Sequence, residues 1–288
     1  MSLSAYYRLA KPGIVYGNLL AGLAGYLFAS PEGGGWVNLA RLAATLLGLG
    51  LVVASACVFN NVFDADIDRK MSRTKVRPLA AGTIGRRQAL GLGLLLGAAG
   101  LALLIILANW LAAALALTGW LVYVLAYTPL KRLTRHATLV GSVAGAMPPI
   151  VGYTAAAGRL DVGALLLFII MAIWQMPHFY AIAVFRLKEY QAAGLPVLPA
   201  VLGVNAAKRH ILFWISAFGL TATLPFFFGL AGVFYLAGVL ALSAWWLRLA
   251  LGGLNSLSAV RWARRLFKVS LMVLLGTSLA LALGPRLP

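Results

Sequence analysis

Nine long apolar runs, separated by short polar breaks, organise the chain: residues 12–30, 39–62, 88–108, 110–128, 138–157, 162–184, 210–229, 231–250 and 267–285. A helix needs about 20 mostly apolar residues to cross the hydrocarbon core of a bilayer, and each run has that length. The pattern predicts an all-α polytopic membrane protein of about nine transmembrane helices, forming one domain over residues 1–288, because no connection is long enough to fold by itself. Most connections are short, such as 31–38 and 158–161; the longer ones are 63–87, 185–209 and 251–266. Glycines sit mostly inside the apolar runs, and the pairs Gly91/Gly97 and Gly141/Gly145 are expected to let helices approach closely.

Composition supports the membrane reading: 62% of residues are hydrophobic and 10% charged, where soluble domains carry about a quarter charged residues. The net charge of +18 suggests nucleic acid until the cations are placed. With the N-terminus inside, all Lys and Arg except Arg41, Arg159 and Arg286 fall in the inside segments. That asymmetry predicts an N-in, C-out topology and contact with anionic lipid, and no nucleic-acid partner. Residues 1–7 lead directly into the first span, so no cleavable signal is expected, and the single Cys57 leaves no internal disulfide.

Acids are scarce enough to be informative. Glu32 and Asp161 fall in short outside loops and carry no expected role; Asp64, Asp66, Asp68 and Glu189 fall at inside helix ends. Asn60, Asp64 and Asp68 recur at i, i+4 and i+8, which on a helix places them on one face and Asp66 away from it. Carboxylates stacked one turn apart repel, and a divalent cation relieves the repulsion; Mg²⁺ is usually held by one or two carboxylates plus substrate phosphates. The basic residues that follow, Arg73, Lys75 and Arg77, with Lys131 and Arg132 after the fourth span, suit phosphate oxygens. Acids for a metal beside bases for phosphates describe a diphosphate site; the bland alternative is a solvated loop of ordinary topological anchors.

A second constellation runs through Trp174-Gln-Met-Pro-His178-Phe179, Arg186-Leu-Lys188-Glu189-Tyr190 and Gly194-Leu-Pro-Val-Leu-Pro199. Pro177 is expected to kink or break its span. His178 then either bonds a freed carbonyl or faces a substrate, and Glu189 is either a surface ion-pair partner or a second metal or diphosphate contact. His136 and His210 read as interfacial residues.

Asn60-x-x-x-Asp64-x-x-x-Asp68 resembles the first acidic motif of the intramembrane aromatic prenyltransferases of the UbiA superfamily. The segments Tyr127-Thr-Pro-Leu-Lys131-Arg132, Gly145-Ala-Met-Pro-Pro149, Trp174-Gln-Met-Pro-His178-Phe and Tyr190-x-x-Ala-Gly-x-Pro-x-Leu-Pro199 resemble its heme-directed branch, over roughly residues 8–285. Many relatives carry a second Asp-rich motif where this chain has only Glu189, a departure that fits that branch. The resemblance implies a helical bundle around a central cavity in the cell membrane, with its active-site loops cytoplasmic. It implies Mg²⁺ as cofactor and farnesyl diphosphate and protoheme IX as substrates. It also implies heme A synthase or oxidase-assembly proteins as partners. By residue, it implies a catalytic set of Asn60, Asp64, Asp68 and Glu189, with the metal on the first three. Diphosphate would meet Arg73, Lys75, Arg77, Lys131, Arg186 and Lys188; heme would meet His178 and Trp174. Phe63, Tyr123, Tyr127 and Phe179 would line the path of the prenyl cation. The rival readings are a relative acting on a quinone precursor or chlorophyllide, and a transporter whose carboxylates bind its cargo.

Overall fold

The computed structural model describes residues 3–29, 39–254, 256 and 258–287. The 31–38 connection with Glu32, and the side chain of Arg286, lie outside the described residues. A short helix, α1 (Leu3–Leu9), precedes two spans, α2 (Pro12–Ala29) and α3 (Leu39–Arg69). Next come α4 (Arg86–Ala108), α5 (Trp110–Leu130), α6 (Ala137–Ala157) and α7 (Val162–Phe185). The short α8 (Leu187–Ala192) leads into α9 (Leu198–Phe227), α10 (Val233–Gly252) and α11 (Ala259–Leu283). Among the described residues nine helices are long and apolar enough to span a bilayer, and no strand is present.

Three helices outrun their hydropathy. α3 continues past residue 62 through the acids to Arg69, α9 starts at Leu198 rather than 210, and α11 starts at Ala259 rather than 267. The extensions to Arg69 and from Ala259 carry charged residues that hydropathy reads as loop, whereas residues 198–209 are mostly apolar but are interrupted by Pro199 and Gly203. α9 takes Pro199 into its first turn, where the missing N–H costs nothing. Gly203, at φ 81°, then bends it in a conformation that L side chains resist. Pro177 does not break its helix: α7 runs through it from Val162 to Phe185.

The helices pack in sequence, and α11 closes against α2; α2 also packs along α6. That last contact is the tightest. A Cβ on Gly25 would lie 1.9 Å from the Pro149 carbonyl oxygen, and one on Gly152 would lie 1.8 Å from the Gly22 carbonyl oxygen. The expected glycine pairs contribute unevenly. Gly91 faces open space and Gly97 meets Ser55, while Gly141 and Gly145 make room for the Tyr127 ring and the Gln175 amide. The largest apolar cluster lies among α6, α7, α9, α10 and α11 and includes Trp246, Phe218 and Ile211. Asp161 is no idle loop acid: it caps α7 through the N–H groups of Gly163 and Ala164 and accepts the Tyr153 hydroxyl at 2.7 Å.

Candidate active site

The polar end of α3 turns into the bundle. Asn60, Asp64 and Asp68 are 2%, 4% and 2% exposed, and all three line a cavity of about 690 Å³. Buried carboxylates need partners, and each rung has its own cation. Lys11 Nζ donates to Asn60 Oδ1 at 2.5 Å. Lys131 pairs with Asp64. Arg77 Nη1 reaches both oxygens of Asp68 at 2.9 Å. Asn60 Nδ2 also donates to Thr128 Oγ1 at 3.0 Å, which joins α3 to the end of α5. Asp66 lies on the other side of the helix, exposed, with both oxygens on Arg132 at 2.8 Å.

These cations crowd one another. Burial pushes the Lys11 ammonium down to about 8, with Arg77 and Lys131 adding to the fall. Burial also lowers Lys131, against the pull of Asp64. Desolvated cations converging on one cavity suit a ligand carrying several negative charges. Asp64 Oδ1 is buried and accepts no hydrogen bond, so a carboxylate oxygen remains for a cation from outside the protein. Among the described residues no three His, Cys, Asp or Glu side chains group to hold a metal alone. One amide and two carboxylates fit Mg²⁺, which takes its remaining ligands from water and phosphate.

The two polar constellations meet because their loops share an apolar patch. Ile67 and Met71 pack on Ala193 and Leu195, flanked by Tyr190 and Val197. Arg73 thereby comes within 3.6 Å of Glu189, which Arg186 already holds at 2.7 Å. Arg73, Arg77, Lys131 and Tyr190 line the cavity. Lys75, Arg186, Lys188 and Glu189 do not: the two lysines are exposed, and Arg186 is spent on Glu189. Phe63 is likewise absent from the cavity wall and 43% exposed, since it sits one residue, about 100°, off the Asp64 face.

Deeper in, the wall is aromatic. Tyr123 and Tyr127 stack at 5.3 Å, and Lys131 Nζ lies 5.6 Å from the Tyr127 ring centre. They sit in a π-helical stretch, Val122–Tyr127, just before Pro129, which has no N–H to continue the ladder. Trp174 and His178 stack at 4.8 Å on α7, and Phe179 adds its ring beside them. Ser270 of α11 holds both: its carbonyl accepts Trp174 Nε1 at 2.9 Å, and its Oγ lies 2.7 Å from His178 Nδ1. Ser270 Oγ donates its one proton to the Phe267 carbonyl at 2.6 Å. It therefore accepts from Nδ1–H of His178, which leaves the Nε2 lone pair uncommitted. His178 lines the cavity and does not bond a proline-freed carbonyl.

Lys11 and Ser270 escaped the sequence reading. Lys11 resembles any anchor at the mouth of a first span, and its one anomaly, φ 51° directly before Pro12, is invisible in sequence. Ser270 is a lone hydroxyl in an apolar run, 92 residues from His178.

The model of the UbiA prenyltransferase family matches residues 18–272. Protoheme IX farnesyltransferase of Photorhabdus laumondii subsp. laumondii is 45% identical over 287 residues, covering 99% of this chain and 97% of the relative. Among solved structures, digeranylgeranylglyceryl phosphate synthase superposes with a TM-score of 0.80 at 19% identity, covering 99% of both chains. A UbiA homolog from Archaeoglobus fulgidus bound to GPP and Mg²⁺ gives 0.68 at 17%, covering 96% of this chain and 99% of the other. At those identities the structures establish the fold, while the family match and the 45% relative establish kinship. The chain belongs to the UbiA prenyltransferase family, and it is an integral membrane protein.

Proposed function

We propose that this protein transfers the farnesyl group of farnesyl diphosphate to a vinyl group of protoheme IX, giving heme O. The carrying observation is the buried Asn60–Asp64–Asp68 ladder, each rung matched to its own cation, at the polar end of an otherwise apolar and aromatic cavity. The name of the 45% identical relative supports heme as the acceptor over a quinone precursor or chlorophyllide. The collection of acids at one end of the spans speaks against a transporter.

Mg²⁺ held by Asn60, Asp64 and Asp68 would neutralise the diphosphate as it leaves. The structure of a homolog bound to GPP and Mg²⁺ supports that dependence. Lys11, Arg73, Arg77 and Lys131 take the phosphate oxygens, exchanging their present carboxylate and amide partners for the ligand. Glu189 holds Arg73 and Arg186 at the mouth, where the exposed Lys75 and Lys188 draw in anions. Tyr123, Tyr127, Trp174 and Phe179 line the cavity that receives the allylic cation, present aromatic faces to it and exclude bulk water. His178, with Nε2 free, contacts the heme beside Trp174. The cation asymmetry supports a site at the cytoplasmic face of the cell membrane. The product would pass to heme A synthase or to oxidase assembly.

Purified protein in detergent, given heme, farnesyl diphosphate and Mg²⁺, should yield heme heavier by one farnesyl group and one hydroxyl group. Unaltered heme, alongside farnesylation of a quinone precursor, would overturn the assignment.

A further inference from the structure

The reaction proposed above ends with addition of water, and an apolar cavity must place that water. Gln175, three residues before His178 on α7, is 5% exposed and on the cavity wall. Its Nε2 donates to the carbonyls of Ser142 and Met171, each at 3.1 Å. Both amide protons are thus used, and the reversed orientation would aim the amide oxygen at two carbonyl oxygens. Oε1 is fixed on the remaining side, over Gly145, where a Cβ would lie 2.0 Å from it. No protein donor reaches Oε1 among the described residues. The facing stretch of α6 adds acceptors: Pro148 and Pro149 have no N–H to give the carbonyls of Ala144 and Gly145. Acceptors without donors, in apolar surroundings, suit a small molecule with protons to give.

We infer that Gln175 Oε1 positions the water that completes the reaction; this rests on the heme reading. As the farnesyl C1–oxygen bond breaks, the vinyl electron pair forms the new C–C bond to C1. Positive charge moves to the vinyl carbon nearer the porphyrin. The water lone pair forms a C–O bond to that carbon, while Gln175 accepts a hydrogen bond from one water proton and keeps the lone pair aimed at the cation. The amide oxygen is too weak a base to keep the proton, which passes to the released diphosphate. Without the positioned water, the cation loses a proton from the neighbouring carbon and gives an olefin, one water lighter.

The test is the product ratio, which a merely structural residue would not alter. Wild-type protein in H₂¹⁸O should give hydroxylated farnesyl-heme carrying the label. Gln175→Leu should still consume farnesyl diphosphate, with the olefin-to-alcohol ratio raised about tenfold or more, a change of about 1.4 kcal/mol in relative barriers. Gly145→Ala, which drives the amide aside without altering Gln175, should shift the ratio the same way and decides the matter if Gln175→Leu does not fold. Folded variants that are merely slower, with the wild-type ratio, would overturn the role of Gln175. Wild-type protein that makes no farnesylated heme would overturn the functional reading itself.

Discussion

Lys11 donates a 2.5 Å hydrogen bond to Asn60 across 49 positions of the chain, so the loop before the first span completes a ladder built on the second. A charge-assisted hydrogen bond contributes about 1.5–3 kcal/mol. Lys11→Met should therefore raise KM for farnesyl diphosphate by about 10-fold to 100-fold. KM for heme should stay unchanged, and Lys11→Arg should recover part of the loss. Steady-state kinetics with each substrate varied in turn separates the two; equal effects on both would remove Lys11 from the diphosphate end.

Asp64 and Lys131 form a buried ion pair. Breaking such a pair on one side costs about 3–5 kcal/mol, because the remaining charge is stranded. Asp64→Asn alone should thus lose both activity and stability. The charge-balanced Asp64→Asn/Lys131→Met protein should regain much of its thermal stability in detergent and remain inactive at any Mg²⁺ concentration. Activity in the double variant would refute the metal assignment.

Ser270 fixes the tautomer of His178. Ser270→Ala should leave the protein folded and shift the Soret band of bound heme, with affinity several-fold weaker. His178→Ala should remove the His-dependent spectral feature altogether. Identical heme spectra for wild type and His178→Ala would remove the histidine from the heme contact.

Gly152 lies where a Cβ would strike the Gly22 backbone at 1.8 Å. Backbone cannot swing aside as a side-chain tip can, so Gly152→Ala should destabilise by about 1–3 kcal/mol or more. Gly91→Ala, which faces open space, should be tolerated. Thermal unfolding in detergent compares the two.

Burial alone would raise the Asp161 carboxyl, but the Tyr153 hydroxyl, Arg159 and the Ala164 N–H outweigh it and hold the group below its ordinary value of 3.8. A depressed folded value stabilises the protein above that pH, and the contribution fades as pH falls through the folded value. Asp161→Ala should lower stability by about 1 kcal/mol at pH 7. The difference from wild type should begin to shrink as pH falls below 3.8, which melting curves across pH would show.

The sequence by itself determined the solvent, the nine spans and the face of α3 that bears the acids. Those depend on composition and on a 3.6-residue period, both of which are local. It also brought together the right loops, because charged residues in a lipid-soluble chain are too costly to be scattered. Helix ends at Arg69 and Ala259 were hidden, since charged turns look like loops until their partners are known, and the start at Leu198 was hidden because Pro199 and Gly203 read as helix breakers. Tertiary structure alone decided which cation serves which rung. It turned Phe63 outward, drew Lys11 in, and set Ser270 behind His178 and Gln175 over Gly145. Each of those is a contact between distant segments, fixed by how helices pack rather than by any pattern along one of them.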